Sequence, residues 1–115
     1  MTRHSDEVSL RQMLAHAHEA VALAGGRSVA ALEQDRTIGL ALLQLCQIVG
    51  EAANRVSAGF RESHPEIDWR GTIDLRNRLI HGYDTVDFEI LWGILNRDFP
   101  ALIARLRELV APEFQ

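Results

Sequence analysis

Apolar residues in this chain recur three and four places apart almost from end to end, and nowhere do they alternate over a run long enough for a strand. That period is the helical one, about 3.6 residues per turn, so the pattern restricts the chain to an all-α fold. Leu10, Met13, Leu14, Ala17, Val21 and Ala24 make one stripe on a first helix from Asp6 to Ala24, capped by Ser5 and stopped by Gly25-Gly26. Ser28 heads a short helical turn through Leu32. A long helix from about Asp35 to Ala58 carries Ile38, Leu42, Leu45, Ile48, Val49, Ala52 and Val56 on its apolar face, and Gly59 marks its end. Phe60 to Asp68 reads as a loop, because Pro65 pushes His64 out of helical geometry.

Asp68 is placed to cap a further helix, Trp69 to about Ile80, that closes at Gly82. The last helix begins near Asp87. Its apolar residues Phe88, Leu91, Trp92, Leu95, Phe99, Leu102, Ile103, Leu106 and Val110 keep one phase across Pro100. A preserved phase predicts one helix kinked near Pro100, where the carbonyl of Asn96 loses its donor. The expectation is therefore one domain, residues 1–115, folded as an antiparallel bundle of four main helices plus a short helical turn.

A content of 47% hydrophobic and 24% charged residues is ordinary for a globular chain with one core. No window approaches the roughly 18 apolar residues needed to cross a bilayer, and the N-terminus lacks an apolar signal core, so a cytoplasmic protein without membrane contact is expected. Cys46, the single cysteine, lies among Leu43, Leu45, Ile48 and Val49 and is expected to behave as a buried hydrophobe. Of His16, His18 and Glu19, only His16 and Glu19 share a helical face, and no second helix offers a matching Glu-x-x-His. No metal site and no cofactor are expected. A net charge of −4 argues against a protein that coats nucleic acid with a general surplus of cations, so any such site must be local.

One stretch stands apart: Arg76-Asn-Arg-Leu-Ile-His81-Gly-Tyr83, which gathers two arginines, an amide, a histidine and the one tyrosine of the chain. From Trp69 to Tyr83, Arg70, Arg76 and Arg78 face Asp74 alone, three charges against one, a net of +2. A guanidinium is a permanent forked donor to phosphate oxygens, and an imidazole can take or give a proton near neutral pH. Together they suit phosphodiester cleavage without a metal. Spacing alone is cheap evidence, since Arg11 and His16 stand equally far apart. On one helix, residues five apart point about 140° away from each other, whereas Asn77 and His81 would share a face. Arg76 and His81 converge only if the helix loosens toward Gly82 or a second chain completes the site. In-line RNA cleavage needs both a base and an acid, and a two-fold dimer would supply two histidines with paired arginines.

Arg76-x4-His81-x-Tyr83 resembles the Rx4HxY signature of HepT-like proteins, a branch of the HEPN superfamily of small helical ribonucleases and nucleotidyltransferase partners. The blocks Ile48 to Ser57, Pro65 to Trp69, the signature with Asp84 after it, and Leu95 to Leu102 resemble that family in the same order. The resemblance covers roughly residues 6 to 110. It implies a toxin of a bacterial toxin-antitoxin pair: a homodimeric, metal-independent endoribonuclease with Arg76 and His81 lining a cleft between protomers. It further implies a minimal nucleotidyltransferase antitoxin, of the MntA type, that transfers AMP from ATP onto Tyr83 and silences the toxin. Added negative charge and bulk beside the cleft would oppose an RNA phosphate there.

Each residue also has a plainer reading. Asn77 either orients His81 from the preceding turn or faces solvent. Arg78 is a secondary RNA contact or one rung of an Arg70–Asp74–Arg78 ladder of ion pairs four residues apart. Glu51, Asn54 and Arg55 either line the cleft or reduce to a Glu51–Arg55 helical pair. Tyr83 is a packing residue with a wet hydroxyl unless a partner modifies it, and Trp69 and Trp92 are core or dimer anchors. The alternative function is a non-catalytic substrate-binding or regulatory partner of a nucleotidyltransferase.

Overall fold

The computed structural model describes residues 5–82 and 85–110, and it is a helical bundle. In chain order it comprises α1 (Asp6–Ala24), α2 (Val29–Gln34), α3 (Arg36–Arg55), α4 (Ala58–Ser63), α5 (Trp69–Ile73), α6 (Leu75–Leu79), β1 (Ile80–His81), β2 (Thr85–Val86), α7 (Phe88–Gly93), a π-helical turn (Ile94–Asp98) and α8 (Phe99–Leu109). Helix α1 has the bounds its pattern predicts. Its stripe of Leu10, Met13, Leu14, Ala17 and Ala24 is buried, and Gly25 closes it at a φ of 56°, a left-handed conformation that suits glycine. It packs chiefly on α3 and then on α8. Between them lies a core that includes Met13, Leu42, Val49, Phe99 and Leu106.

The chain departs from its pattern at three places. Helix α3 ends at Arg55, short of Ala58, because the Ser57 side chain accepts the N–H of Phe60 and starts α4. The segment expected as a loop from Phe60 is therefore helical as far as Ser63, and Gly59 lies inside a helix. Ser57 is itself anchored, since the Asp6 carboxylate accepts from its N–H at 2.8 Å and its hydroxyl at 2.7 Å. That clamp joins the start of α1 to the α3–α4 junction.

The second departure concerns the helix expected from Trp69 to Ile80, which breaks at Asp74 and ends at Leu79. Ile80 is extended, and the chain turns at Gly82, φ 72°, into a short antiparallel hairpin pairing Ile80 with Val86 and His81 with Thr85. Two-residue strands are too short to announce themselves by alternation, although β-branched Ile80, Thr85 and Val86 favour them. The third departure is at Pro100. The disturbance there takes the form of the π turn, in which the Phe99 N–H reaches back five residues to the carbonyl of Ile94. Helix α7, the turn and α8 run on without interruption, and Leu91, Ile94, Leu95, Phe99, Leu102, Ile103 and Leu106 stay buried, so the predicted phase survives.

Helix α5 sits on α3 at Gly50, where a Cβ would stand only 3.0 Å from the carbonyl oxygen of Thr72 and 3.4 Å from that of Ile73. Leu75 and Leu79 then tie α6 into the core. Cys46 is fully buried, and desolvation pushes its thiol up to about 12, against the smaller opposing pull of the Arg78 charge. Among the described residues no helix is long and apolar enough to cross a membrane.

Two outcomes follow from this packing. Gly50→Val should destabilise the fold by about 1–3 kcal/mol in urea unfolding, because α5 must retreat from α3. Cys46 should resist a thiol reagent at pH 8 in the folded protein and react at once when denaturant is added.

Candidate functional site

Helix α6 has five residues, and its two leucines decide where the polar ones go. With Leu75 and Leu79 buried, Arg76 and Asn77 are turned outward and both exposed. They line an open groove of about 230 Å3 whose other wall is α3, with Gln47, Glu51 and Asn54. Asn77 Nδ2 donates to Asp74 Oδ1 at 2.7 Å. Gln47 Nε2 donates to Glu51 Oε1 at 3.2 Å, and that contact stands where a Glu51–Arg55 pair was expected. The Arg76 side chain makes no hydrogen bond or ion pair among the described residues, so its guanidinium is free to bind an anion in the groove.

Arg78 points elsewhere. Its Nη2 pairs with Asp98 Oδ2 of the π turn at 3.0 Å, and Nη1 donates to the Gly71 carbonyl at 3.3 Å. The expected Arg70–Asp74–Arg78 ladder is absent among the described residues, because the break at Asp74 removes the regular helix on which it depends. Arg78 instead braces α5 against the π turn, on a pocket of about 340 Å3 that does not include Arg76.

His81 lies on β1, not on a helix, so Asn77 and His81 do not share a helical face. Its side chain is 60% exposed, with Nε2 at 3.5 Å from Asp87 Oδ2. The other oxygen, Asp87 Oδ1, accepts the Ile90 N–H at 3.0 Å and caps α7, while the Asp87 N–H donates to the Leu79 carbonyl at 2.8 Å. The carboxylate beside His81 is thus held by the fold itself. Asp87 is recognisable from sequence as a helix start, but its approach to His81 depends on the hairpin. His81 opens onto a depression with Glu33, Thr85, Val86 and Phe88, separate from the groove of Arg76. One chain therefore joins Arg76 with Asn77 and does not bring His81 or Arg78 to them. Tyr83 lies outside the described residues.

The comparison pair Arg11 and His16 shows what an occupied set looks like. Arg11 pairs with Glu7 at 2.9 Å, and His16 Nδ1 donates to the Gln12 carbonyl at 2.7 Å, all within α1. Trp69 is a core anchor whose Nε1 donates to the His64 carbonyl at 2.9 Å, and Trp92 is half-buried under the Arg97 guanidinium at 5.7 Å.

The scaffold that carries these residues is of a recognisable class: a small HEPN-type helical bundle. The chain matches the HepT-like family, described as ribonuclease HepT-like, over residues 13–109, and it belongs to that family. It is 35% identical over 75 residues to a Thermococcus cleftensis protein named "Probable ribonuclease HepT", a match covering 65% of this chain and 68% of the relative. It is 35% identical over 68 residues to a Methanocaldococcus jannaschii protein, covering 59% of this chain and 62% of the relative. A third relative, from Caldanaerobacter subterraneus subsp. tengcongensis, is 29% identical over 80 residues, covering 70% of this chain and 71% of its own length. The last two are named as candidate RNases. No solved structure gives a significant match to the chain.

The double duty of Asp87 separates by substitution. Asp87→Asn should keep the α7 cap and unfold at the wild-type urea concentration, whereas Asp87→Ala should lose about 1 kcal/mol.

Proposed function

We propose that this chain is a metal-independent endoribonuclease that works as a homodimer, with Arg76 and His81 from two copies completing each active site. The observation that carries this reading is the state of Arg76: in a chain of a ribonuclease family, it lies in an open polar groove without a partner among the described residues. The separation of His81 from that groove within one chain favours a site shared between copies. In the reaction, an imidazole of His81 takes the proton of a ribose 2'-hydroxyl, whose oxygen attacks the adjacent phosphorus. The P–O5' bond breaks, and the His81 imidazole of the second copy protonates the leaving oxygen, giving a 2',3'-cyclic phosphate and a 5'-hydroxyl end. Arg76 neutralises charge on the phosphorane, and Asn77 orients the groove around it. Arg78, engaged with Asp98, is at most a secondary RNA contact.

The family resemblance extends the proposal to a cytoplasmic toxin held in check by a minimal nucleotidyltransferase antitoxin. The phenol oxygen of Tyr83 attacks the α-phosphorus of ATP, pyrophosphate leaves, and the adenylyl group remains two residues from His81. Its negative charge and bulk would exclude an RNA phosphate from the site. A purely regulatory partner of a nucleotidyltransferase would need none of the nuclease chemistry, and cleavage assays separate the two.

Purified protein should cut RNA in EDTA and leave cyclic phosphate ends, with Arg76→Ala and His81→Ala each slowing cleavage by about 10²–10⁴-fold. Undiminished cutting by either variant would refute the assignment. In mixtures of wild type with His81→Ala, activity should follow the square of the wild-type fraction, and a linear fall would sink the shared site. Tyr83→Phe should remain toxic when the antitoxin is co-expressed.

A further inference from the structure

The groove that holds Arg76 does not stop at α6. Asn54 and Ile73 line both it and a broader open depression of about 710 Å3, to which Arg61, Trp69 and Arg70 also belong. The two depressions adjoin at Asn54 and Ile73 and together form a channel-like surface along α3, from α6 across α5 to α4. Three arginines from three different helices line it: Arg76, Arg70 and Arg61. None of their side chains makes an ion pair or hydrogen bond among the described residues, and Arg61 Nε is buried without a partner.

The channel also holds three acids, Glu51, Glu62 and Asp74, but no ion pair joins any of them to these arginines among the described residues. Glu51 accepts from Gln47 and Asp74 from Asn77, and Glu62 is exposed at the margin. Arg70 is released by the break at Asp74 that prevents the expected ladder. The lining is balanced in formal charge, three guanidinia to three carboxylates, and what marks it is that the guanidinia stay unpaired in a file that starts at the proposed site. Guanidinia at successive points along a groove match the repeating charge of a nucleic-acid backbone.

We propose that this channel is a binding track for single-stranded RNA, in which Arg70 and Arg61 hold phosphates flanking the one that Arg76 engages, and Asn54 bonds to sugar or base between them. The proposal rests on the reading of Arg76 as a phosphate ligand. A single strand is the fitting substrate because in-line attack needs a backbone free to bring the 2'-hydroxyl opposite its leaving oxygen, which a paired helix resists. The track would place most of the binding energy away from the bond that breaks, so chain length on one side of that bond would govern affinity.

Binding of a fluorescent oligouridylate is measured across a salt series with full-length His81→Ala protein, so that no cleavage intervenes. Adding Arg61→Ala or Arg70→Ala should reduce the slope of log K against log salt by about 0.7 each, as for one phosphate contact on a single strand. Arg105→Ala, on α8 and outside the channel, should leave it unchanged. Arg70 is exposed, so its variant decides the matter if Arg61→Ala lowers stability in a thermal melt. With His81 intact, Arg70→Ala should cut a long oligonucleotide with a raised KM. Unchanged slopes for Arg61 and Arg70 beside a reduced slope for Arg76→Ala would overturn the track and leave the active-site reading standing. Unchanged slopes for all three would overturn both. Unchanged slopes together with lost binding to the nucleotidyltransferase would assign the channel to an acidic protein surface and overturn the track as well.

Discussion

The approach of α3 to α5 at Gly50 sets the geometry of everything around Arg76. A side chain there would press on the Thr72 and Ile73 carbonyls, so the absence of a Cβ lets the two backbones approach without either having to shift. Asp68 completes the seat by capping α5, accepting the Gly71 N–H at 3.0 Å, while the Thr72 hydroxyl donates to the Asp68 carbonyl at 2.7 Å. With α5 fixed on α3, the short α6 has one orientation, because Leu75 and Leu79 must both reach the core. The groove is the polar residue of that fit: the parts of α3 and α6 that face each other but do not touch.

The same constraint sorts the two arginines of the motif. Positions two apart on a helix point about 160° away from each other. Fixing the leucines therefore sends Arg76 and Arg78 to opposite sides of α6. Arg78 meets Asp98 and becomes structural, and Arg76 meets only the groove. Asp74 accepts from Asn77 through Oδ1 and sits at a break where no regular helix presents it to Arg70 or Arg78. The unpaired guanidinia on this face are thus a product of packing as much as of composition.

How much was legible follows from how local each feature is. The bounds of α1 and the phase carried across Pro100 rest on periodicity and glycine chemistry within a few residues, and both hold. The end of α3 was misplaced because Ser57 outweighs Gly59, and Ser57 owes part of its hold to Asp6, far away in sequence. The hairpin was missed because two residues carry no period. The Arg78–Asp98 pair was missed because its partners are twenty residues apart, and a nearer acid offered a simpler pairing. Arg76 and Asn77 could be singled out as a unit from sequence, but not the three-arginine channel, which needs the fold to bring α4, α5 and α6 to one side of α3.

His81 shows why a motif on a helix differs from one on a hairpin. Had the helix continued through it, His81 would have stood one turn above Asn77 and Arg76 would have pointed away. Instead the chain leaves the helix at Leu79 and pins His81 by its pairing with Thr85, with the Asp87 amide tied to the Leu79 carbonyl below. The backbone is held on both sides while the imidazole remains largely in solvent beside a carboxylate that caps α7. A side chain so placed has given up part of its freedom before it meets anything, which lowers the entropic cost of docking it against another surface. Arg76 differs in kind: it sits within a groove whose walls are already present. A rigidly based histidine facing outward and an arginine waiting in a groove are complementary halves, and their separation in one chain is what makes a second copy the economical way to join them.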